Sequence, residues 1–394
     1  MLSNRLSSIT PSYTIGISSK VNEMKNSGID VINLSIGEPD FNVPNSAKSY
    51  GINSLNNNHT KYDMVPGLKI LREEICTKLL KENNCNYSPD EIVVSSGAKH
   101  CITNTLLALT NPEDEVLLPK PYWVSYPEMI KLVNAVPVFI ETKKENNFKL
   151  DPKELHKYIT PKTKIIIINN PSNPTGSVYT KEELSEIVDI CSKHNIYILS
   201  DEIYEKICFN DNFTSIASIS SIAKDITITI NGFSKSVAMT GLRLGYSASN
   251  KTIAKAMSTI QGHLVSHPSL TSQYIAYGAL KDCSNDINDM VKQYKNRRDL
   301  ICSKLDSIPN INYIYPNGAF YVFINISNLR NKFTYNQSFS IDFCNELLNK
   351  YHVAIVPGIA FGMDDYIRIS FACSNNVFLE GLDRLNNFIL DICK

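Results

Sequence analysis

Short apolar runs alternate with amphipathic stretches through the middle of the chain. The runs are rich in β-branched residues and have the length of strands. Ile165–Ile168 is apolar without interruption, which is typical of a strand covered on both faces. His100–Leu109 and Lys181–His194 instead show the spacing of amphipathic helices. The predicted strands are Ile92–Val94, Glu115–Leu118, Val136–Ile140, Ile165–Ile168, Ile196–Leu199 and Ile226–Ile230.

This alternation predicts an α/β fold in which a mainly parallel sheet lies between helices. The rhythm changes near residue 280, where a long charged helix, roughly Asp282 to Leu305, leads into a separate α+β unit. The N-terminal residues lack a core of their own, and we expect them to pack against this smaller unit. The other elements predicted there are Ile311–Tyr315, Ala319–Ile324, Ser338–Tyr351, Val353–Val356, Tyr366–Phe371 and a terminal helix.

The predicted domain boundaries follow from that change of rhythm. Residues 1–44 form an N-terminal arm and part of the small domain, residues 45–282 the large domain, and residues 283–394 the C-terminal small domain. A chain of 394 residues is longer than one hydrophobic core normally takes, which also favours two domains.

The composition narrows the class of partner. With 39 basic and 39 acidic residues the formal charge is zero, and neither sign gathers in a block, so we expect no nucleic-acid or membrane partner. No apolar stretch approaches membrane-spanning length, and the first residues lack the apolar segment of a signal peptide. The ten cysteines form no Cys-x-x-Cys pair, which indicates reduced thiols and a cytoplasmic location. His263 and His267 have no carboxylate at ligand spacing, so we expect no metal site.

Lys235 is the first candidate for chemistry. It follows the Ile226–Ile230 strand in a loop of small residues, with Ser234 before it and Arg243 eight positions later. An amine, a hydroxyl and a guanidinium at this spacing suit an aldehyde cofactor that also carries a phosphate. A lone lysine after a strand is usually a solvated loop residue. Here the neighbouring motifs favour the functional interpretation.

Three more predicted strands end in polar or small residues, at the edge where such sheets bind ligands. Gly97 and its neighbours open a helix after Ile92–Val94, where free backbone N–H groups can bind phosphate. Asn173 lies in a loop fixed by prolines and offers both a donor and an acceptor. Asp201 ends a buried strand, where a carboxylate is costly unless a group such as a pyridinium nitrogen pairs with it. The alternative for these segments is an ordinary solvated loop.

Arg368 interrupts an apolar strand of the smaller unit. Its functional interpretation is a bidentate clamp for a substrate carboxylate. The alternative is an arginine on the solvent face of a half-buried strand.

Taken together, the motifs resemble those of the pyridoxal-phosphate-dependent aminotransferases of fold type I and class I/II. The closest resemblance is to bacterial aspartate aminotransferases of subgroup Ib, and it runs essentially from end to end. The resemblance implies the seven-stranded, mainly parallel sheet of that fold. The motifs that carry it are Gly37-Glu-Pro-Asp-Phe, Lys61-Tyr62 before Gly67, Pro121-Tyr-Trp123-Val-Ser-Tyr-Pro, Asn173-Pro-Thr-Gly, Ser200-Asp-Glu-Ile-Tyr204, Ser234-Lys235, Arg243-Leu-Gly-Tyr, Pro316-Asn-Gly-Ala-Phe-Tyr and Arg368-Ile-Ser-Phe.

The resemblance implies roles around the cofactor, pyridoxal 5'-phosphate. Lys235 would form the Schiff base and move the proton, and Asp201 would pair with the pyridine nitrogen. Asn173 and Tyr204 would contact the phenolic oxygen, and Trp123 would stack on the ring. The phosphate would be held by the backbone of Gly97, Ala98 and Lys99, by Ser234 and Arg243, and by Tyr62 from a second subunit.

The resemblance also implies roles toward the substrate. Arg368 would clamp the α-carboxylate, helped by Gly37 and Asn173. Lys99 would reach the distal carboxylate of aspartate or glutamate, and Thr14 would line the same pocket. The implied partners are small-molecule substrates, namely amino acids and 2-oxo acids, and the implied assembly is a homodimer with shared active sites. The predicted substrate contacts are Thr14, Gly37, Lys99, Trp123, Asn173 and Arg368.

The implied reaction moves an amino group between aspartate and 2-oxoglutarate, giving oxaloacetate and glutamate. Other substrates stay open, since Phe320 and Phe361 leave room for aromatic ones and some relatives take prephenate. The resemblance implies a lysine at position 10 in relatives that accept prephenate. The residue here is Thr10, which weakens the prephenate alternative. Alanine- or methionine-like donors, a carbon–sulfur lyase on the same cofactor, and a cofactor-sensing regulatory module are the further alternatives.

Overall fold

The computed structural model describes residues 3–11, 13–210 and 213–394. The strands are β1 (Ile32–Asn33), β2 (Ile92–Ser95), β3 (Glu115–Pro119), β4 (Val136–Ile140), β5 (Thr163–Asn169), β6 (Tyr197–Asp201), β7 (Thr227–Gly232), β8 (Gly245–Ala248), β9 (Asn312–Tyr313), β10 (Tyr321–Asn325), β11 (Val353–Ala354), β12 (Val356–Pro357) and β13 (Tyr366–Ser370). The helices are α1 (Tyr13–Asn26), α2 (Asn45–Asn56), α3 (Lys69–Asn83), α4 (Ala98–Leu109), α5 (Tyr126–Leu132), α6 (Pro152–Leu155), α7 (Lys181–Lys193), α8 (Ser221–Ile226), α9 (Phe233–Ser236), α10 (Lys251–Leu264), α11 (Leu270–Asp282), α12 (Ser284–Leu305), α13 (Phe339–Tyr351) and α14 (Asn375–Ile392).

A seven-stranded sheet forms the centre of the larger unit, in the order β2-β8-β7-β6-β5-β3-β4. The pairs among β3 to β7 are parallel, and only β8 runs antiparallel to its neighbours β2 and β7. The predicted α/β class and mainly parallel sheet are therefore confirmed. All six strands predicted from the apolar pattern are present. The pattern missed β8, whose four residues include only one large apolar side chain, Tyr246.

Helices cover both faces of this sheet, as the uninterrupted apolar strands require. Side chains of α4, α5 and α10 form the core on one face. Side chains of α7 and its neighbours form the core on the other. The parallel strands consequently end at one edge, where β5 and β6 place Asn169 beside Asp201 in register.

The smaller unit contains a four-stranded antiparallel sheet, in the order β12-β13-β10-β9. Beside it, β1 from the N-terminal segment pairs in parallel with β11, so the N-terminal residues do pack against this unit. The single strand predicted over Val353–Val356 is wrong. The chain divides at Ile355, and β11 and β12 belong to different sheets because each finds a different partner.

The long charged helix predicted over Asp282 to Leu305 is present as α12, directly after α11. Cys283 separates the two helices, which supports our proposed boundary between residues 45–282 and 283–394. No helix in the described part of the chain is long and apolar enough to cross a membrane.

Candidate active site

A cavity of about 570 Å³ lies at the carboxyl ends of β5, β6 and β7, between the two units. Helix α1 and the segment after β1 line its outer side. Most of the predicted site residues line it, although they come from distant parts of the sequence. Its walls include Thr14, Gly37, Ala98, Lys99, Trp123, Asn173, Asp201, Tyr204, Ser234, Lys235, Arg243 and Arg368.

Lys235 projects into the cavity from the short helix α9, which follows β7. Its ammonium group donates a hydrogen bond to the carbonyl oxygen of Gly37. Burial lowers the pKa of Lys235 to about 8, Glu38 opposes this shift, and the two cations Arg368 and Arg243 reinforce it. A neutral amine, which is the nucleophilic and basic form, is therefore accessible near physiological pH.

Asp201 is buried at the end of β6. Its Oδ2 accepts a hydrogen bond of 2.6 Å from the hydroxyl of Tyr126, and its Oδ1 accepts one of 3.2 Å from the Ile203 N–H. Burial raises the pKa of Asp201 to about 6, while these two donors and the charge of Lys235 lower it. No ion pair neutralises this carboxylate within the described residues. This carboxylate lines the cavity without an ion-pair partner, so it is available to pair with a cationic ring nitrogen.

Arg368 is 3% exposed, so the solvent-facing alternative is wrong. Its Nη1 donates to Asn173 Oδ1 at 3.0 Å and its Nη2 to the Ser35 carbonyl at 2.8 Å. The guanidinium lies over the ring of Tyr321, 4.2 Å from its centre. Its Nε has no hydrogen-bond partner, and no carboxylate pairs with it, in the part of the chain that the structure describes. A buried cation in this state suits a carboxylate ligand.

Glycines allow a close approach where β2 leads into α4. Gly97 has φ +89°, and a Cβ on it would lie 2.7 Å from Arg243 Nη2. A Cβ on Gly245 of the adjacent β8 would lie 2.5 Å from the backbone nitrogen of Ala98. The start of α4 and the Arg243 guanidinium therefore stand together, with Ser234 on the same cavity wall. Backbone N–H groups, a hydroxyl and a guanidinium form a suitable cradle for a phosphate.

Lys99 and Trp123 form the wall next to this cradle. The Lys99 Nζ lies 5.0 Å from the centre of the Trp123 ring. Partial burial, and then the charge of Arg243, lower the pKa of Lys99. Like charge nearby and an aromatic face leave this cation open to an anionic ligand.

Tyr204 and Tyr321 meet beneath the cavity, with their hydroxyl oxygens 2.8 Å apart. The Tyr321 hydroxyl also lies 2.6 Å from where a Cβ on Gly37 would be. Any larger residue at position 37 would therefore shift either the Tyr321 side chain or the backbone that accepts from Lys235.

Comparison with known proteins agrees with this geometry. The family model described as aminotransferase class I and II matches residues 29–385. The chain belongs to this family. It is 44% identical over 392 residues to a protein named aspartate aminotransferase from Bacillus sp. strain YM-2, covering 99% of each chain. It is 41% identical over 394 residues to a probable aspartate/prephenate aminotransferase from Aquifex aeolicus, again covering 99% of each.

A solved structure gives the same result. The aspartate aminotransferase from Thermus thermophilus with maleate superposes with a TM-score of 0.93 at 33% identity, over 98% of this chain and 99% of that one. The resemblance that the motifs indicated is thus confirmed at the level of family and fold.

Two predicted site residues of this class I and II aminotransferase lie off the cavity wall. Gly97 lies just behind the wall, next to Arg243. Tyr62 is 90% exposed, with its ring 6.0 Å from that of His267, centre to centre. Tyr62 therefore does not line the cavity of its own subunit, and its predicted role depends on a second subunit.

Sequence reasoning missed several residues of the aminotransferase cavity. Tyr126 is hydrogen-bonded to Asp201, and Tyr321 is hydrogen-bonded to Tyr204. Glu38 and Asn169 also line the cavity. Both tyrosines stand inside motifs that carried the resemblance, three residues after Trp123 and one after Phe320. Their position in those motifs was the available signal, but their contacts depend on the fold.

Proposed function

We propose that this chain is a pyridoxal-phosphate-dependent aspartate aminotransferase, which moves an amino group between aspartate and 2-oxoglutarate. The products are oxaloacetate and glutamate. One observation carries the proposal: Lys235, Asp201 and Arg368 line a single cavity despite their separation in sequence. An amine, a buried anion and a buried cation without a carboxylate partner are the groups that an aldehyde cofactor and an amino acid require.

The residues present fit pyridoxal phosphate. The start of α4, Ser234 and Arg243 would hold the phosphate, and Trp123 would cover one face of the ring. Asp201 would pair with the ring nitrogen, because an ionised carboxylate in a desolvated site favours a protonated partner. Tyr204 and Asn173 stand on the same wall and would contact the phenolic oxygen.

When bound, pyridoxal phosphate supplies an electron sink that makes the α-proton of an amino acid acidic. Tyr126 and the Ile203 N–H hold Asp201 in place and keep it ionised. Lys235 would accept the α-proton and return it to a neighbouring carbon, since its lowered pKa leaves a neutral amine available.

Arg368 would bind the α-carboxylate of the substrate. Its Nη1 and Nη2 already contact Asn173 and Ser35, so its orientation is fixed before the substrate arrives. Prior orientation reduces the entropy lost on binding.

A second cation at the outer wall supports a dicarboxylic substrate. Lys99, with Thr14 of α1 across the same cavity, would receive the distal carboxylate of aspartate. The names of the similar proteins support aspartate, and the related Thermus structure holds maleate. Five similar proteins are named for prephenate as well. We favour aspartate alone because Thr10, rather than a lysine, precedes Pro11.

We further propose a cytoplasmic homodimer in which Tyr62 reaches the phosphate of the partner's site. Its exposure of 90% in a single chain supports this role, because a tyrosine so exposed gains burial only from another molecule.

A panel of 2-oxo acids tests the proposed reaction. The purified protein should take up pyridoxal phosphate, and aspartate should then convert its absorbance to that of the amine form, which 2-oxoglutarate reverses. Borohydride reduction should add the cofactor's mass at Lys235, and Lys235→Ala should lose both this label and turnover. Release of ammonia and pyruvate from cysteine-type substrates, without a 2-oxo acid, would instead identify a carbon–sulfur lyase.

A further inference from the structure

A buried polar cluster lies on the face of the sheet opposite the cavity, and the proposed mechanism does not use it. Successive residues of a strand point to opposite faces. Because Asp201 faces the cavity, Ser200 and Glu202 face away from it. On the neighbouring β7, Thr229 lies beside Ser200 in register. The side chain of Glu202 is completely buried there.

The two oxygens of Glu202 have different surroundings. Its Oε1 accepts three hydrogen bonds, from the Ser200 hydroxyl at 2.8 Å, the Ser215 hydroxyl at 3.0 Å and the Ile216 N–H at 3.3 Å. Its Oε2 is also buried but has no partner among the described residues. An ionised carboxylate with one buried oxygen unpaired is costly, whereas a protonated Oε2 needs only one acceptor.

Lys78, the cation of this cluster, pairs with a carboxylate other than Glu202. Lys78 and Asn83 both bond to Glu205, three residues after Glu202. Although Glu205 is buried, Lys78 holds its pKa below the ordinary value. Burial, and then the charge of Glu205, raise the pKa of Glu202 to about 8, although its bonds from Ser200 and Ser215 and the charge of Lys78 lower it. Two neighbouring carboxyl groups therefore hold opposite protonation states at neutral pH.

Other buried polar groups lie on the same side of the sheet. The hydroxyls of Tyr87, Thr227 and Thr229 are buried and likewise unpartnered in the described chain. None of the three bonds to Oε2 directly, so internal water would have to connect a proton on Oε2 to them. The titratable and charged groups that face Glu202 are Lys78, Cys85, Tyr87, Glu205 and Tyr246.

We propose that Glu202 is a positioning residue held as the neutral acid, which fixes the end of β6 and leaves Asp201 as the single negative charge at that end. Its bonds to Ser200, Ser215 and Ile216 join the strand to the start of the short 3-10 helix Ile216–Ser218. If Glu202 were ionised, a second negative charge next to Asp201 would favour the proton on Lys235 and reduce the fraction of neutral amine. This consequence rests on the proposed function, whereas the neutrality of Glu202 does not.

Glu202→Gln and Glu205→Gln form a matched pair for the test, measured on the full chain without cofactor. A folded-state pKa raised from 4.5 to about 8 makes the folded protein lose stability as pH rises across that range. Glu202→Gln should remove this loss and unfold at or above the wild-type temperature at neutral pH. Glu205→Gln should unfold at a lower temperature, because it removes the buried carboxylate that pairs with Lys78 and leaves only the more exposed Glu82 as its ion-pair partner. The infrared band of a protonated carboxyl should disappear at neutral pH in Glu202→Gln only.

The loaded enzyme tests the positioning role. Glu202→Gln should keep kcat within roughly three-fold of wild type, because an amide preserves the neutral hydrogen bonds, whereas Glu202→Ala should lower kcat more than KM. In Glu202→Gln the change in cofactor absorbance with alkaline pH should also shift from that of wild type. If Glu202→Gln behaves as Glu205→Gln does, or is impaired as much as Glu202→Ala, the proposal is wrong. Failure to bind pyridoxal phosphate would overturn the proposed function while leaving the cofactor-free measurements intact.

Discussion

Lys99 is the residue on which the proposed substrate depends. Its Nζ stands over the Trp123 ring at the outer cavity wall, and its charge has no ion-pair partner in the described chain. A hydrogen bond between charged groups contributes about 1.5–3 kcal/mol. The contribution should appear only with substrates that carry a distal carboxylate.

We therefore expect Lys99→Ala to lower kcat/KM for aspartate by roughly 10- to 100-fold, the equivalent of that bond. Alanine, which lacks a distal carboxylate, should lose much less. Steady-state kinetics with both donors provide the measurement, and Lys99→Arg, which keeps the cation, provides the control. An equal loss on both donors would show that Lys99 acts on the cofactor instead.

Asp201 illustrates the conflict between stability and function at single residues. Its pKa rises from 3.8 to about 6 on folding, because burial disfavours its charge. A group with a raised pKa contributes stability at low pH that is lost as pH rises through the folded value. The folded protein without cofactor should thus lose stability between those two pH values.

Asp201→Asn should remove that loss. Since one pKa unit corresponds to 1.36 kcal/mol, the free energy of unfolding without cofactor should rise by up to about 3 kcal/mol at neutral pH. Added pyridoxal phosphate should stabilise wild type far more than this variant. Thermal unfolding over a pH series measures both effects, with Asp189→Asn on the exposed face of α7 as the control. A variant less stable than wild type without cofactor would contradict the expectation.

At the scale of elements, the turn from β2 into α4 decides how tightly the phosphate is held. Gly97 has φ +89° and ψ 162°, a conformation that costs other residues about 1–3 kcal/mol. A methyl group there would also press on the Arg243 guanidinium. Both effects act on the proposed phosphate cradle.

Gly97→Ala should accordingly weaken the binding of pyridoxal phosphate by at least about ten-fold, given a strain of that size. Gly241→Ala is the matched control, because it lies two residues from Arg243 and its Cβ would meet no atom within 4 Å. Fluorescence or absorbance titration with the cofactor gives both dissociation constants. Equal affinities for the two variants would exclude the cradle.

At the scale of the whole molecule, the proposed shared site requires two subunits. Tyr62 lies outside the cavity of its own chain, whereas Lys235 lies inside it. A mixed dimer of a Lys235→Ala subunit and a Tyr62→Ala subunit would therefore contain one site with both changes and one with neither.

Mixing these two inactive or weakened variants, with subunit exchange, should restore activity at limiting cofactor concentration. The restored activity should approach half that of wild type per mixed dimer, since one site in two is intact. Activity that stays at the average of the two parents would show that Tyr62 serves no partner site. Mixing Lys235→Ala with Lys235→Arg controls for effects of exchange alone.

The sequence by itself determined the parts of this protein that depend on local pattern. Apolar runs predicted six strands of the large sheet, because strand residues buried on both faces must be apolar. The polar and small residues at the strand ends predicted Lys235, Asp201 and the start of α4 as one site, because parallel strands end at one edge.

Tertiary structure alone decided what depends on residues far apart in the chain. Strand β8 exists because β2 and β7 supply its hydrogen-bond partners, not because its own four residues favour a strand. Arg368 is buried by its contacts with Asn173, Ser35 and Tyr321. No local sequence pattern predicts that these residues lie together. The opposite states of Glu202 and Glu205 likewise follow from which of them Lys78 reaches. Charge and burial are properties of the surroundings, and only the folded chain provides those.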